Sequence, residues 1–130
     1  MAKRKSVNTQ QLRHKNPIPA ASRIGDLLVS SVINGVDPAT GKIAATLEEQ
    51  CAHMFGHVRR IVEAGGGTTD DIIKITVWMK DRSQRDALNH EWIKMFPDEQ
   101  ARPARHTIQG DLDGDILIQC DFMAVLDKPA

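Results

Sequence analysis

The 130-residue chain has no net charge, because 17 lysine and arginine residues are balanced by 17 aspartate and glutamate residues. Without a basic excess it has no electrostatic field to attract nucleic acid or an anionic membrane surface. No apolar run approaches the length that spans a bilayer, and no apolar secretion segment follows the basic first residues. We therefore expect a cytoplasmic protein whose partner is a small molecule or another copy of itself, with no role for nucleic acid or a membrane.

Cysteine is also scarce, with residues only at Cys51 and Cys120. Both lie in predicted regular elements without metal-site spacing, which favours reduced, packed thiols over a disulfide scaffold. The sequence has no phosphate-binding loop, CxxC motif, HExxH motif or internal repeat. His53 and His57 lie four residues apart on the polar side of a predicted helix, so we expect solvated side chains there. We expect neither a metal nor a cofactor.

The length of the chain fits one domain with a single core. Residues 1–15 are polar and aperiodic, and are predicted to form a loose N-terminal arm before a single domain at residues 16–130. Apolar periodicity predicts the order ββαβαββ, an α/β two-layer sandwich with both helices on one sheet face. The predicted strands flank residues 25–26 and cover 72–79, 104–109 and 116–125, and the predicted helices cover about 46–65 and 81–97.

Both predicted helices carry capping signals. Thr46 with Glu49 forms a capping box at the start of the first helix. Asp81 or Ser83 is the predicted cap of the second helix, and Pro97 is predicted to end it.

The sheet face away from the helices carries apolar residues. On the last strand, Leu117, Met123 and Val125 point to the same side as Gln119 and Asp121. A sheet covered by helices on one face either solvates its other face or buries it against another subunit, and these apolar residues favour burial. A closed cyclic oligomer provides such cover.

Arg105 follows Pro103 at the start of a predicted strand, and by alternation Thr107 and Gln109 project to its side. His106 is then expected to face the helices. The planar guanidinium matches the two oxygens of a carboxylate. The residues leave two alternatives for Arg105, a structural ion pair or the binding of a ligand's carboxylate.

Several segments, together with the order of elements, resemble the Rid/YjgF family from about Asn16 onward. They are Val36-Asp37-Pro38-Ala39-Thr40-Gly41, Glu63-Ala64-Gly65-Gly66 before Asp71-Ile72-Ile73-Lys74-Ile75-Thr76-Val77, Leu88-Asn89-His90-Glu91-Trp92, and Arg102-Pro103-Ala104-Arg105. The resemblance implies a chorismate-mutase-like fold and a homotrimer whose sheets line the trimer core, with sites at the subunit interfaces. It also implies hydrolysis of 2-imino and 2-enamino acids to 2-keto acids and ammonia without a cofactor, with Arg105 binding the substrate carboxylate.

Other positions of the family's substrate site are matched with changes. The family's tyrosine near the first strand is matched by Ile18, since the chain contains no tyrosine, and its Ser-Gly pair by Ser31 and Val32. Thr107 stands where cysteine is common, and Asn89 matches an asparagine on the second helix. The isoleucine and valine make the expected pocket more apolar.

Two residues of the last strand are candidates for handling the catalytic water. The glutamate usual in active family members is matched by Gln119, allowing one gap in the preceding turn. Gln119 can orient water but cannot accept its proton, whereas Asp121 shares the strand face and can do so. Asp121 is alternatively a subunit-interface charge.

Two other functions are compatible with these residues. One is a specialised deaminase of an aminomuconate-like catabolic intermediate, which a more apolar pocket suits. The other is a non-catalytic trimer that binds small carboxylates, which the missing tyrosine and glutamate favour. The ribonuclease and translation-inhibitor labels attached to some family members are disfavoured, because no basic patch with interleaved aromatics is present.

Overall fold

The computed structural model describes residues 2–127. Within these residues the fold consists of two α-helices, as the sequence predicts, a seven-stranded mixed β-sheet and a separate two-stranded sheet formed by Val36–Asp37 and Lys42–Ile43. The strands are β1 (Lys5–Val7), β2 (Ala21–Ile24), β3 (Leu27–Ser30), β4 (Ile33–Asn34), β5 (Val36–Asp37), β6 (Lys42–Ile43), β7 (Ile72–Met79), β8 (Ala104–Gln109) and β9 (Ile118–Val125). The helices are α1 (Leu47–Ala64) and α2 (Arg85–Met95).

The main sheet has the strand order β1-β2-β3-β9-β7-β8, with β4 also paired to β9. Strands β7 and β8 are parallel, because α2 crosses over between them, whereas β9 runs antiparallel to β3, β4 and β7. Helix α1 packs on β9 and against α2. The core lies between this helical layer and the side chains of Ile75, Val77, Cys120 and Phe122. The predicted two-layer α/β fold is confirmed.

Helix α1 begins and ends where the sequence predicts. The Thr46 side chain accepts a hydrogen bond from the Glu49 backbone N–H at 3.1 Å, and its hydroxyl donates to the Glu49 carboxylate at 2.9 Å. Gly65 caps the other end. The predicted cap of α2 is wrong, because Gln84 occupies the cap position without a side-chain hydrogen bond. Asp81 instead accepts hydrogen bonds from the Ser83 backbone N–H and hydroxyl, in a turn that precedes the helix.

The segment predicted as a loose arm contains a strand. Within it, β1 pairs antiparallel with β2 at the edge of the main sheet, and Val7 and Leu12 are buried in the core. A three-residue strand is too short for period-two alternation to be recognised, and its partner lies more than ten residues further along the chain.

His57 is fully buried, so the prediction of a solvated side chain is wrong. Its Nε2–H donates to the Val36 carbonyl at 2.7 Å, and its Nδ1 accepts from Arg60 at 2.9 Å. Burial first, and the Arg60 charge after it, lower the pKa of His57. The segment around β5 covers the polar side of α1 at this point, which helix periodicity does not reveal. His53 is part-exposed and lies 3.9 Å from the Asp37 carboxylate.

Cys51 and Cys120 are free and buried, which confirms packed thiols. Burial raises the pKa of Cys51 to about 12 and also raises that of Cys120, so neither forms a reactive thiolate near neutral pH. Within residues 2–127, no group of three or more His, Cys, Asp or Glu side chains is placed to hold a metal ion. No helix in that range is long and apolar enough to cross a membrane.

Candidate functional site

Arg105 lies on β8, at the edge of the sheet, and its direction is set by the register with β7. Arg105 pairs with Ile75 and Thr107 pairs with Val77, so both share the face that the helices cover. Gln109 lies on the same side, as predicted. The predicted direction of His106 is wrong, because it is exposed on the opposite face. Alternation shows which residues of an edge strand share a side, but not which side faces the helices.

A cavity of about 300 Å³ opens between α2 and β8. It is lined by Asn89, Trp92, Ile93, Arg102 and Arg105. The Arg105 guanidinium lies over the Trp92 ring, 4.9 Å from its centroid, which fixes the plane of the guanidinium by cation–π contact. Trp92 is itself held by an edge-on contact with Phe96, with ring centroids 4.9 Å apart.

The charge of Arg105 is not neutralised by any carboxylate among residues 2–127. Its Nη1 atom is buried without a hydrogen-bond partner in that part of the chain. Burial first, and Arg85 after it, lower the pKa of Arg105, so the charged form is held in an unfavourable environment. A half-buried guanidinium with an unused donor is stabilised by an incoming anion. In the described part of the chain, the structural ion pair left open by the sequence is absent.

Two other predicted site residues lie near Arg105. Asn89 lines the same cavity from α2. Thr107 is half-buried, two residues along β8 on the side of Arg105. These residues form the helix-side group of the candidate site.

The predicted water-handling residues lie on the other sheet face. Gln119 pairs with Asn34 and Trp78, and Asp121 pairs with Thr76, so both side chains point away from α1 and α2. Burial raises the pKa of Asp121, and a Trp78 hydrogen bond and the Lys74 charge oppose the rise. One chain therefore does not bring these two residues to Arg105.

The remaining predicted residues lie near the β3–β4 connection. The Ser31 hydroxyl donates to the Pro19 carbonyl at 2.7 Å, and the Ser31 N–H donates to the Ala20 carbonyl at 2.8 Å. Ile18 and Val32 are 45% and 38% exposed, which leaves two apolar side chains uncovered. Strands β9 and β7 separate β3 from β8, so these residues also lie apart from Arg105.

The sheet face away from the helices has an exposed apolar patch. Leu27 pairs with Val125 and Val29 pairs with Met123 across β3 and β9. All four side chains are 39–52% exposed. The expectation that another copy covers this face concerns these four residues, whereas Leu117, which alternation assigns to the same face, is partly buried and packs against the core.

Three residues next to Arg105 were missed as site residues by sequence reasoning. Trp92 and Arg102 occur in the segments that carry the family resemblance, which does not by itself assign them to the site. Arg85 lies outside those segments. The available signal is helical spacing, because Arg85, Asn89 and Trp92 are four and three residues apart and so share one side of α2.

Comparison with known proteins matches this chain over most of its length. A family model described as endoribonuclease L-PSP matches residues 9–125. A RutC family protein of Haemophilus influenzae is 31% identical over 112 residues, 84% of this chain and 86% of that protein. A 2-iminobutanoate/2-iminopropanoate deaminase of Salmonella typhimurium is 32% identical over 104 residues, 78% of this chain and 81% of that protein.

Solved structures match the fold as closely. The crystal structure of E. coli TdcF with bound serine has a TM-score of 0.85 and 29% identity, covering 93% of this chain and 98% of the other. The E. coli YjgF gene product has a TM-score of 0.84 and 28% identity, with the same two coverages.

Proposed function

The chain belongs to the endoribonuclease L-PSP family, which is the Rid/YjgF family that its sequence resembles, and from this premise we propose that it hydrolyses 2-imino and 2-enamino acids to 2-keto acids and ammonia. Relatives named as 2-iminobutanoate/2-iminopropanoate deaminases support this activity class. The observation that carries the proposal is the Arg105 guanidinium at a cavity, whose buried Nη1 has no hydrogen-bond partner and whose charge has no paired carboxylate among the described residues. The proposed location is the cytoplasm.

Arg105 is proposed to bind the substrate carboxylate through two parallel hydrogen bonds. Trp92 holds the guanidinium plane, and the Asn89 amide offers a donor and an acceptor to the groups beside the carboxylate. Fixing the carboxylate also fixes the adjacent imine carbon, so attack by water becomes a positioned step.

The complete site requires a second copy of the chain. Arg105 and Asn89 lie on the helix side of β8, whereas Gln119 and Asp121 point from the opposite sheet face. We propose that the site forms where the helix-side group of one copy meets a second copy. The second copy contributes either the sheet face that carries Gln119 and Asp121 or the region of Ile18, Ser31 and Val32. A closed homotrimer meets this requirement three times and covers the exposed apolar patch.

The reaction has two steps. The water oxygen bonds to the imine carbon while the electron pair of the C=N bond moves to nitrogen, which takes up a proton. The C–N bond of this carbinolamine then breaks, ammonia leaves with a further proton, and loss of the hydroxyl proton gives the keto group. Gln119 is suited to orienting the water, and ionised Asp121 is suited to accepting its proton.

This role for Asp121 predicts a pH dependence. Because burial raises the pKa of Asp121, kcat should fall on the acid side at a pH above the usual aspartate range, and Asp121→Asn should remove that limb along with most of the activity. The raised pKa also means that ionised Asp121 lowers the stability of the folded state at neutral pH. Asp121→Asn should therefore unfold at a higher temperature than wild type near pH 7, and at the same temperature below the usual aspartate pKa. A kcat profile that Asp121→Asn leaves unchanged would contradict the proton-acceptor role.

The proposed activity is tested by generating imines in place with an amino-acid oxidase and measuring keto-acid formation above the spontaneous rate. Acceleration by the wild-type protein with at least one side chain supports the proposal. Arg59→Ala, which removes an exposed arginine of α1, is the matched control for Arg105→Ala and should act as wild type. If folded protein accelerates no imine, general imine deamination is wrong.

A non-catalytic carboxylate-binding trimer is the second candidate. It is favoured by Gln119 at the expected glutamate position and by the apolar Ile18 and Val32 at positions that the family resemblance assigns to the substrate site. The same apolar side chains suit a specialised deaminase of an aminomuconate-like intermediate. Keto-acid binding without turnover of any imine would select the binding role, and turnover of only a long unsaturated substrate would select the specialised enzyme.

A further inference from the structure

Arg105 is one of several arginines on its side of the molecule. Arg102 lines the same cavity, and Arg82 and Arg85 line a second cavity of about 370 Å³ with Ser83 and Gln109. Within residues 2–127 no ion pair joins any of these arginines to a carboxylate. Each of the two cavities therefore carries arginines that form no ion pair within the described residues.

The arginines differ in how much of each guanidinium is already used. Arg102 donates from Nε to the Phe96 carbonyl at 2.8 Å and from Nη2 to the Pro97 carbonyl at 3.5 Å, so it is tied to the end of α2. Among the described residues Arg85 donates only from Nε, to the Arg82 carbonyl at 3.0 Å, which anchors the side chain and leaves its two terminal nitrogens without a partner there. Of the two, Arg85 is better placed to bind a ligand.

Arg85 is also electrostatically coupled to Arg105. Its charge contributes to the lowered pKa of Arg105, so the two guanidinium groups repel each other across the side of α2 that carries Asn89. The acidic residues at this end of the helix leave the repulsion in place, since Asp81 is engaged by Ser83 and Asp86 forms no ion pair within the described chain. A ligand with two negative groups relieves this repulsion more than a ligand with one.

We infer that the substrates are 2-imino or 2-enamino dicarboxylates, with Arg105 binding the carboxylate next to the imine carbon and Arg85 binding the second carboxylate. This inference rests on the proposed deaminase function and names its substrate class. Arg85 is then the specificity-determining residue. Neutral apolar side chains gain nothing from it, so a simple aliphatic imine is a poorer substrate.

The test compares two four-carbon imines that differ only at the far end. An amino-acid oxidase generates 2-iminobutanoate from 2-aminobutanoate, and a second generates 2-iminosuccinate from aspartate. For wild-type protein we expect kcat/KM to be roughly tenfold higher for the dicarboxylate, the size of one charge-assisted hydrogen bond. Arg85→Gln should lower kcat/KM roughly tenfold more for 2-iminosuccinate than for 2-iminobutanoate and so remove that preference, whereas Arg85→Lys should keep much of it. Arg59→Gln, with the same loss of charge on α1, should change neither rate.

The outcomes separate this inference from the proposed function. If wild type hydrolyses 2-iminobutanoate at least as well as 2-iminosuccinate, the deaminase stands and the dicarboxylate inference is wrong. An equal loss on both substrates in Arg85→Gln would assign Arg85 to folding or assembly and would overturn its role in specificity. Absence of activity on both imines would overturn this inference, and it would overturn the deaminase proposal as well if no imine with another side chain is hydrolysed.

Discussion

Replacing Arg105 by alanine is expected to lower kcat/KM for imine hydrolysis by roughly 100- to 1,000-fold. The loss follows from removing a charged, two-point hydrogen bond to the substrate carboxylate, which is worth several kcal/mol in a part-desolvated site. Keto-acid formation from an oxidase-generated imine measures the effect. Arg105→Lys keeps the charge but loses the planar fork, so its activity should fall between those of wild type and alanine.

Arg105→Ala is expected to fold as stably as wild type. Arg105 makes no ion pair within residues 2–127, and its lowered pKa shows that the folded environment disfavours its charge. Loss of its contact with Trp92 should change the free energy of unfolding by no more than about 1 kcal/mol. Thermal unfolding of wild type and variant at equal concentration checks this. A large loss of stability in Arg105→Ala would reveal a structural ion pair formed between copies, the alternative that the sequence leaves open.

Local signals predict much of the fold. Thr46, Glu49 and Gly65 bound α1, because caps are decided by residues within one turn of the helix end. Strand β8 has its predicted bounds, since Pro103 and Gly110 flank it and neither continues a strand readily. The signal fails where a distant segment decides the outcome. His57 lies on the polar side of α1 and is nevertheless buried, because the segment around β5 covers it.

The candidate site also combines features that the sequence predicts with features that depend on segments distant in sequence. The resemblance identifies Arg105, Asn89 and Thr107, which do lie on one side of β8 and α2. The sequence does not show that Gln119 and Asp121 lie on the other sheet face, because alternation within each strand does not relate the sides of two strands that are distant in sequence. Only the register of β7 with both β8 and β9 relates them.

The register also has a consequence for assembly. If the residues that bind the carboxylate and those that handle water lie on opposite faces of one sheet, a monomer holds only half of the chemistry. Activity should then depend on protein concentration wherever the assembly dissociates. The exposed apolar pairs of β3 and β9 lie on the face that carries Asp121, so a contact that covered them would also bring a second chain to the proposed water-handling residues.

Gly35→Ala is expected to lower the free energy of unfolding by about 3 kcal/mol, at the upper end for overpacking in a core. Gly35 links β4 to β5 where the chain crosses α1, and a Cβ there would lie 2.5 Å from the Cα and carbonyl oxygen of Gln50. These are helix backbone atoms, so the two segments must separate. The crossing is fixed, because the Gln50 side chain donates to the Ala44 carbonyl at 2.9 Å and the Ala44 N–H donates to the Gly35 carbonyl at 3.3 Å.

Gly→Ala substitutions at two other positions are controls for Gly35→Ala, with the free energy of unfolding measured by denaturant for all three variants. Gly56 lies inside α1, where an added Cβ meets only the tip of Arg60 at 3.4 Å, so Gly56→Ala should raise stability by about 0.5–1 kcal/mol. Gly25 has a φ of +55° and open space around it, so Gly25→Ala should cost about 1 kcal/mol through backbone strain alone. If Gly35→Ala were no worse than Gly25→Ala, the crossing over α1 would be looser than the structure has it. Ser31 and Val32, which lie just before that crossing, would then be less firmly placed for the site.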